Sequence, residues 1–491
     1  MDAGLAGHGT IAITQPRKVA AITLAARVAA EQSTSIGGLV GYSVRFEEKA
    51  DRFTKIKYMT DGMLGRELLS DPMLRKYSII IVDEAHERTL RTDMLLTSLK
   101  SIIKARNAQN DTKQHFYPTG DGKPSSGKGK GKAKDPDALP PLKVIIMSAT
   151  LDADRFSKFF NKYANFYLTC DVFLICYSSA KILYVKGRQH PVKILHVAEP
   201  QADFVDSALR TFFQIHTEQP VGDVLIFLPG TRVFGTLPIV LTKYFPLGQE
   251  DIESLVNSIK SYAERIPPSH MQVLTCPMYA ALSASAQTKV FVSAPPNTRK
   301  CIIATNIAET SITIPGVKYV IDSGLCKEKR YLARGRGNGT VRLAFCHEIL
   351  TSDLSPLGVD ALLTQPISQS SAMQRAGRAG REVRVFPFCF YTGELIILFQ
   401  GEGWCFRLYT EQGYNSLRDA AVPEIQRCNL TFAILQMKCL GQNPETADFM
   451  DSPAQENSAY LTVSLSNTPN HAPFRVLSTC FTGLAFSSLS D

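Results

Sequence analysis

The chain has 491 residues, 44% of them apolar, a length that predicts roughly two or three globular domains. Its eleven cysteines include no Cys-x-x-Cys pair, so neither a zinc site nor a disulfide framework is indicated, which suggests a reducing compartment. No secretory signal is recognised in the sequence. It also has no charge-free run of about 18 apolar residues, which argues against a membrane span. The net charge of +9 suits a polyanionic partner, although part of it lies in one lysine-rich run.

The first predicted unit, residues 1–185, alternates strands and helices. A short strand before Pro16 leads into an alanine-rich helix, Val19 to Gln32, and a continuous apolar run, Tyr77 to Val82, precedes a helix-compatible segment, Glu87 to Lys100. A second apolar run, Val144 to Met147, closes the unit. Uninterrupted β-branched runs are typical of buried parallel strands, so we predict a parallel sheet with helices on both faces.

The most informative stretch follows the first apolar run and reads Asp83-Glu84-Ala85-His86. Two carboxylates at the carboxyl end of a parallel strand lie where open α/β sheets bind ligands. There, Asp83 can hold Mg²⁺ on the phosphates of a nucleotide, and Glu84 can orient an attacking water. By itself, the pair could equally be a solvated acidic strand end.

Beyond a Gly-, Pro-, Ser- and Lys-rich linker at 117–141, two further regions are predicted. Residues 186–412 repeat the α/β pattern, with strands at Val224 to Leu228, Lys300 to Ala304 and Lys318 to Ile321. From residue 413 a third region begins, which includes a predicted helix at Leu430 to Leu440.

Seven short segments, in order along the chain, resemble the motifs of the DEAH-box family of RNA helicases. They are Thr14 to Arg17 (motif Ia), Thr60 to Leu64 (Ib), Asp83 to His86 (II), Ser148 to Thr150 (III), Leu225 to Gly230 (IV), Thr305 to Thr313 (V) and Gln374 to Arg381 (VI). The resemblance implies an α/β fold of two tandem RecA-like P-loop NTPase lobes, at 1–185 and 186–412. A partial winged-helix stub would follow at 413–491.

The resemblance also implies roles at a nucleotide site. Asp83 would coordinate Mg²⁺ through water, Glu84 would position or deprotonate the attacking water, and His86 would couple this site to motif VI. Arg378 and Arg381 would be arginine fingers, because guanidinium groups grip phosphate oxygens in a bidentate manner. Gln374 and Arg375 would face the γ-phosphate, with Ser311 near the nucleotide. Without the motif context, His86 would more often be a structural histidine and the arginines a solvated basic face.

A second set of residues would contact the RNA backbone. Hydroxyls, backbone amides and single arginines suit contacts with phosphate that do not depend on sequence. The implied residues are Arg17, Arg45, Thr60, Asp61, Gly62, Thr305 and Asn306. Ser148 and Thr150 would relay the nucleotide state to this path. Each of these residues alone would more often cap a helix or form a turn.

The sequence departs from the family pattern at several places. The Gly-x-x-x-x-Gly-Lys-Thr phosphate loop is missing, and Gly122 to Lys128 is rejected as a substitute because Gly129 stands where Ser or Thr must follow. We therefore expect the printed chain to hydrolyse ATP poorly. Segments 162–180, 231–247, 336–356 and 383–400 look inserted, and the tail after 453 diverges. Translated introns would explain them, and genuine surface loops are the alternative.

The resulting functional prediction is an ATP-dependent RNA helicase that couples hydrolysis of ATP, or another NTP, with Mg²⁺ to translocation on single-stranded RNA. Its expected partners are RNA, partly duplex or single-stranded, and an activating protein. Its expected location is nuclear or nucleolar, otherwise cytoplasmic. Two alternatives belong to other classes: a non-catalytic RNA-binding scaffold on a degenerate helicase core, and a DNA-directed translocase.

Overall fold

A computed structural model describes residues 9–111, 139–149, 153–161, 182–185, 190–201, 203–229, 250–267, 270–310, 314–332, 359–380, 402–444 and 446–453. Three of the predicted site residues, Thr150, Ser311 and Arg381, lie outside these ranges. The four inserted-looking segments, most of the 117–141 linker and the tail after 453 also lie outside them.

The first half of the chain forms lobe 1, a six-stranded sheet in the order β3-β2-β4-β1-β5-β6. Its strands are β1 (Thr10–Gln15), β2 (Val40–Val44), β3 (Glu47–Lys49), β4 (Ile56–Thr60), β5 (Tyr77–Val82) and β6 (Lys143–Ile146). All neighbours pair in parallel except β2 and β3, which form an antiparallel hairpin at the edge. The helices are α1 (Lys18–Glu31), α2 (Asp61–Ser70), α3 (Leu90–Asp111) and α4 (Ala153–Asn161).

Lobe 2 is a second six-stranded sheet in the order β7-β14-β11-β8-β10-β9, with all pairs parallel. Its strands are β7 (Val192–His196), β8 (Asp223–Phe227), β9 (Gln272–Met278), β10 (Thr298–Ala304), β11 (Val317–Asp322) and β14 (Gly403–Arg407). Strands β12 (Leu325–Leu332) and β13 (Val359–Pro366) form a separate antiparallel hairpin. The helices are α5 (Phe204–Glu218), α6 (Glu250–Ala263), α7 (Ala284–Thr288), α8 (Gln369–Gly377) and α9 (Glu411–Asn415).

Apolar strand residues explain where the two cores lie. Ile80 and Val82 of β5 are buried against α3, and Ile226 of β8 is buried among residues of α5 and α6. Helices therefore cover the sheets, as parallel strands require. The predicted pair of RecA-like lobes is confirmed. The predicted helix at Glu87 to Lys100 is shifted, because a 3-10 turn at Ala85–Glu87 precedes α3.

The third region packs on lobe 1 through α10 (Glu424–Arg427) and α11 (Thr431–Cys439). Met94 of α3 clusters with Ala433 and Met437, and Lys100 pairs with Asp448 at 2.7 Å. Its assignment as the start of a winged helix stays a prediction. None of the described helices is long and apolar enough to cross a membrane.

Candidate nucleotide site and nucleic-acid face

The acidic segment lies at the carboxyl edge of the lobe 1 sheet, where β1, β5 and β6 end side by side. Asp83 N donates to Thr14 O at 3.2 Å, and Met147 N donates to Val82 O at 2.8 Å. Parallel pairing brings all three strand ends to the same edge of the sheet. The residues that follow them therefore share one cleft edge.

Asp83 is held in place by its neighbours. Its Oδ2 accepts a 2.5 Å hydrogen bond from Gln15 Nε2, and its Oδ1 accepts one of 2.8 Å from Glu84 N. Gln15 is fully buried, so its amide is fixed. Two donors thus orient the Asp83 carboxylate at the strand end. Gln15 was not among the predicted site residues, although it directly precedes Pro16-Arg17 in motif Ia.

The carboxylate chemistry fits a hard cation such as Mg²⁺. Within the described ranges no group of three or more His, Cys, Asp or Glu side chains could hold a metal by itself. Mg²⁺, however, is usually bound by one or two carboxylates together with waters and substrate phosphates, and dedicated protein cages are uncommon. Asp83 and Glu84 supply oxygen ligands of that kind.

Glu84 is held in an unusual backbone conformation. Its φ of 53° lies in the left-handed region, which is uncommon for a residue with a side chain. Burial raises the pKa of its carboxyl group, while the charges of His86 and Arg378 act in the opposite direction. The net pKa is raised, as is typical of carboxylates that work as bases.

His86 connects the acidic segment to motif III within lobe 1. Its Nδ1 accepts a 3.2 Å hydrogen bond from Ala149 N, and Ala85 N donates to Met147 O at 3.0 Å. The other ring nitrogen, Nε2, lies 3.4 Å from Glu84 Oε2. These contacts of His86 are with motifs II and III, and its predicted coupling to motif VI stays a prediction.

Arg378 brings lobe 2 to the same cleft. It follows α8 in a 3-10 turn, Arg378–Gly380, and its side chain is almost fully buried and donates to Glu309 O. Burial is the largest influence on the pKa of Glu84, and the positive charge of Arg378 lowers this pKa less than the charge of His86 does. The lobes themselves meet where the hydroxyl of Thr310, the neighbour of Glu309, donates to Glu87. Gln374, one turn earlier on α8, is half-buried.

The prediction that Arg375 faces the γ-phosphate is wrong. Its side chain has 0% exposure, and it donates to Glu309 Oε2 at 2.9 Å and to Asp322 Oδ1 at 2.8 Å. Burial lowers the pKa of this guanidinium, but Asp322 and Glu309 raise it by more. Arg375 therefore anchors α8 to the lobe 2 sheet, because it lies on the face of the helix that packs inward.

Most predicted RNA-binding residues lie at accessible places. Arg45 is exposed, with its guanidinium 4.7 Å from the ring centre of exposed Phe46. Thr60 is the residue before α2, and among the described residues its hydroxyl makes no capping bond. In lobe 2, Asn306 is exposed, whereas the Thr305 hydroxyl accepts from Ile307 N at 3.4 Å.

Gly62 leaves room for a guanidinium. A Cβ at this position would lie 2.8 Å from Arg91 Nη1. The absence of a side chain at Gly62 thus lets exposed Arg91 lie over the first turn of α2. The N-terminus of α2 has a partial positive charge of its own, which adds to that of the guanidinium. Sequence inspection did not single out Arg91, because it lies outside every motif.

The predicted RNA contact of Asp61 cannot come from its side chain, and it stays a prediction for the backbone amide of this residue. Only 3% of the residue is exposed, and its Oδ2 accepts a 2.5 Å hydrogen bond from the Thr92 hydroxyl. A buried carboxylate cannot reach a phosphate, and it would repel one. Asp61 instead joins the first turn of α2 to α3.

Ser148, predicted to relay nucleotide state, is half-buried directly after Met147.

Arg17, the predicted RNA contact of motif Ia, has an acidic partner within lobe 1. Its Nε and Nη2 lie 3.3 and 3.4 Å from the two carboxylate oxygens of Glu87. The same Glu87 carboxylate accepts a hydrogen bond from the Thr310 hydroxyl of lobe 2. Glu87 therefore joins a predicted RNA contact of lobe 1 to motif V of lobe 2. The motif pattern had not marked it.

The two RecA-like sheets meet where Thr310 of lobe 2 donates to Glu87 of lobe 1, which follows the carboxylate pair along the chain, while Arg378 donates to Glu309, the neighbour of Thr310. This arrangement defines a helicase-type two-lobe core. Residues 207–382 match the family model described as helicase conserved C-terminal domain. The chain is 39% identical over 458 residues to the ATP-dependent RNA helicase DHX33 of Mus musculus, covering 93% of this chain and 51% of that protein.

Two further comparisons agree. The pre-mRNA-splicing factor ATP-dependent RNA helicase DEAH10 of Arabidopsis thaliana is 39% identical over 464 residues, covering 92% of this chain and 54% of that protein. The crystal structure of the Escherichia coli DEAH/RHA helicase HrpB has a TM-score of 0.65 and 26% identity, covering 94% of this chain and 44% of that one. The chain thus spans about half the length of these curated relatives, and it belongs to the DEAH/RHA family of helicases.

Proposed function

We propose that the protein is an ATP-dependent RNA helicase that couples NTP hydrolysis to movement on single-stranded RNA and to remodelling of RNA or RNA–protein complexes. The observation that carries this proposal is the junction of the two lobes beside the acidic motif: the Thr310 hydroxyl of lobe 2 donates to Glu87, three residues after Glu84, and Arg378 donates to the carbonyl of Glu309, the neighbour of Thr310. Phosphoryl transfer needs charge stabilisation from both sides of the phosphate, and this cleft offers a base on one side and a guanidinium on the other.

Each residue has a defined task in the proposed reaction. Glu84 orients the attacking water and accepts its proton, while His86 fixes the turn that holds Glu84. Arg378, and by family resemblance Arg381, stabilise the charge that develops on the phosphate oxygens. By family resemblance, Gln374 would face the same phosphate and Ser311 would be near the nucleotide. Asp83 and Glu84 would hold Mg²⁺ through water, and that ion supplies charge neutralisation when bound.

The proposal extends to partners, location and domain limits. The names of the relatives support RNA as the polymer and pre-mRNA processing as one setting, hence a nuclear or nucleolar location. Neither the scaffold nor the DNA-directed alternative has a specific observation in its favour. An activating protein remains part of the proposal, as do lobe limits at 1–185 and 186–412 with a winged-helix start at 413–491.

The direct test is ATP hydrolysis by the full-length protein, with and without single-stranded RNA. We expect RNA to raise the turnover number, and matched single-stranded DNA to raise it less. Equal turnover with and without either polymer would contradict the helicase function.

The rate of the full-length enzyme should depend on pH through Glu84. Because burial raises the pKa of this carboxyl group, and the base works only when deprotonated, kcat/KM for ATP should fall as the pH is lowered. The acid limb should lie above the ordinary glutamate pKa of about 4.3. A pH–rate profile measures this, and an acid limb at or below that value would contradict a buried Glu84 base.

RNA binding should be sensitive to salt and nearly independent of sequence, because the proposed contacts, including Arg45, Thr60, Thr305 and Asn306, are with the backbone. Replacing Arg17 with alanine should weaken binding of unrelated sequences alike. It should also reduce the slope of log K against log salt by roughly 0.7, the share of one phosphate contact on a single strand. Fluorescence anisotropy with two unrelated oligonucleotides measures both, and a loss confined to one sequence would contradict the idea.

A further inference from the structure

The carboxylate of Glu87 occupies a junction between the lobes that the reaction chemistry does not use. It lies beside the Arg17 guanidinium of lobe 1 and accepts a hydrogen bond from the Thr310 hydroxyl of lobe 2. Only 12% of its side chain is exposed, against 22% for Arg17. Glu87 is therefore not a solvated surface acid, since both neighbours partly enclose it.

The ion pair between Glu87 and Arg17 is long. Charge-assisted N–H···O⁻ bonds are usually about 2.7–2.9 Å long, whereas both Arg17 contacts are 3.3 Å or longer. The Thr310 hydroxyl donates to the same carboxylate and ties it to lobe 2. Arg17 is thus held loosely enough to exchange its partner for a phosphate, while the carboxylate stays bonded to lobe 2.

Glu87 is also tied to the proposed catalytic base through the backbone. Its amide donates to Glu84 O at 3.0 Å in the 3-10 turn Ala85–Glu87. Glu84 and Arg88 flank this turn, and both have left-handed backbone angles, φ 53° and 48°. Arg88 is anchored by Asp93 at 2.7 Å and by Asp451. A displacement of Glu87 is therefore passed toward Glu84, because the other end of the turn is fixed.

We propose that Glu87 is a positioning residue that couples RNA at Arg17 to contact between the lobes at Thr310. A phosphate that binds Arg17 takes the place of the Glu87 carboxylate there. The carboxylate then keeps its bond to Thr310 without competition from Arg17, which draws lobe 2 and Arg378 toward Glu84. This inference rests on the proposed function, because it takes Arg17 as an RNA contact and Glu84 as the base.

The central test replaces Glu87 with glutamine in the full-length protein. Glutamine keeps the shape of the side chain but removes the charge that competes with phosphate for Arg17. We expect the RNA dissociation constant to fall roughly two- to fivefold at low salt, the size of a partly exposed ion pair. The maximal RNA-stimulated rate should fall on the order of tenfold, as when a charge-assisted hydrogen bond is weakened. Opposite changes in affinity and rate distinguish coupling from damaged folding, which would impair both.

Two companion variants complete the test. Asp154→Asn, the control, removes one negative charge from an exposed position on α4 of lobe 1 and should change neither quantity. Thr310→Val should lower the stimulated rate without tightening RNA. The double variant Glu87→Gln/Thr310→Val should be no slower than the slower single variant, because both remove the same contact.

The outcomes separate the two proposals. Wild-type protein without RNA-stimulated turnover would overturn the proposed function and this inference with it. Wild-type stimulation, together with a Glu87→Gln variant that behaves like Asp154→Asn, would overturn the inference alone. Two other results would also overturn the inference. One is a double variant whose loss of stimulated rate equals the sum of the losses in the two single variants. The other is a Glu87→Gln variant in which RNA affinity and stimulated rate both fall.

Discussion

Replacing Glu84 with glutamine should lower ATP turnover by orders of magnitude in the full-length protein and leave nucleotide binding intact. The amide has the shape of the carboxylate but cannot accept the proton of the attacking water. Loss of general-base catalysis typically costs about 10² to 10⁴-fold in rate, and we expect kcat to fall within that range. Binding should persist, because Asp83 keeps both of its hydrogen-bond donors, one of them the Glu84 backbone amide.

The measurement pairs turnover with equilibrium binding of a fluorescent ATP analogue. Glu218→Gln is the matched control, since Glu218 is an exposed carboxylate at the end of α5. We expect the control to retain wild-type turnover. A Glu84→Gln variant that still hydrolysed ATP at the wild-type rate would reject Glu84 as the base. A variant that no longer bound the ATP analogue would show that Glu84 is needed for the structure of the nucleotide site.

The position of the site was predictable, because it depends on short stretches of sequence. An uninterrupted apolar run fixes β5 as a buried strand, so the residues after Val82 had to lie at the carboxyl edge of the sheet. The same argument located Met147 and Ser148 beside them. No side-chain orientation was needed for these predictions.

The errors arose where side-chain direction decides the role. Arg375 and Arg378 belong to one arginine-rich motif, yet the helix turns the first into the core and the second toward the cleft. Asp61 follows a residue with an accessible hydroxyl, but it points at Thr92 from α3. Glu87 was missed because its partners lie 70 and 223 residues away in the chain.

Arg375 has the largest expected effect on stability. It is fully buried, and it neutralises Glu309 and Asp322, which themselves have almost no contact with solvent. Tyr409 adds a 2.9 Å hydrogen bond to Asp322 Oδ2, so this carboxylate has further support. Removing the guanidinium would leave two carboxylates in the interior without their cation. Breaking a buried pair in this way usually costs about 3–5 kcal/mol.

We therefore expect Arg375→Met to lower the free energy of unfolding of lobe 2 by about 3–5 kcal/mol. Urea unfolding can be followed by the fluorescence of Trp404, the single tryptophan of the chain, which lies in β14 of lobe 2. The control is Arg210→Ala, since Arg210 is 80% exposed and pairs with Asp206 one turn away. Its effect should be below about 0.5 kcal/mol.

A second variant separates lost charge balance from lost packing. Arg375→Met/Asp322→Asn removes one of the stranded carboxylates, and it should recover part of the stability lost in Arg375→Met, because less uncompensated charge stays buried. If the double variant were less stable than the single one, the hydrogen bonds of Asp322 to Tyr409 and to Gly324 N would matter more than its charge. If Arg375→Met matched the Arg210→Ala control, the buried ion pairs would not anchor α8, and the orientation of Arg378 would have to come from the contact of its own side chain with Glu309 O.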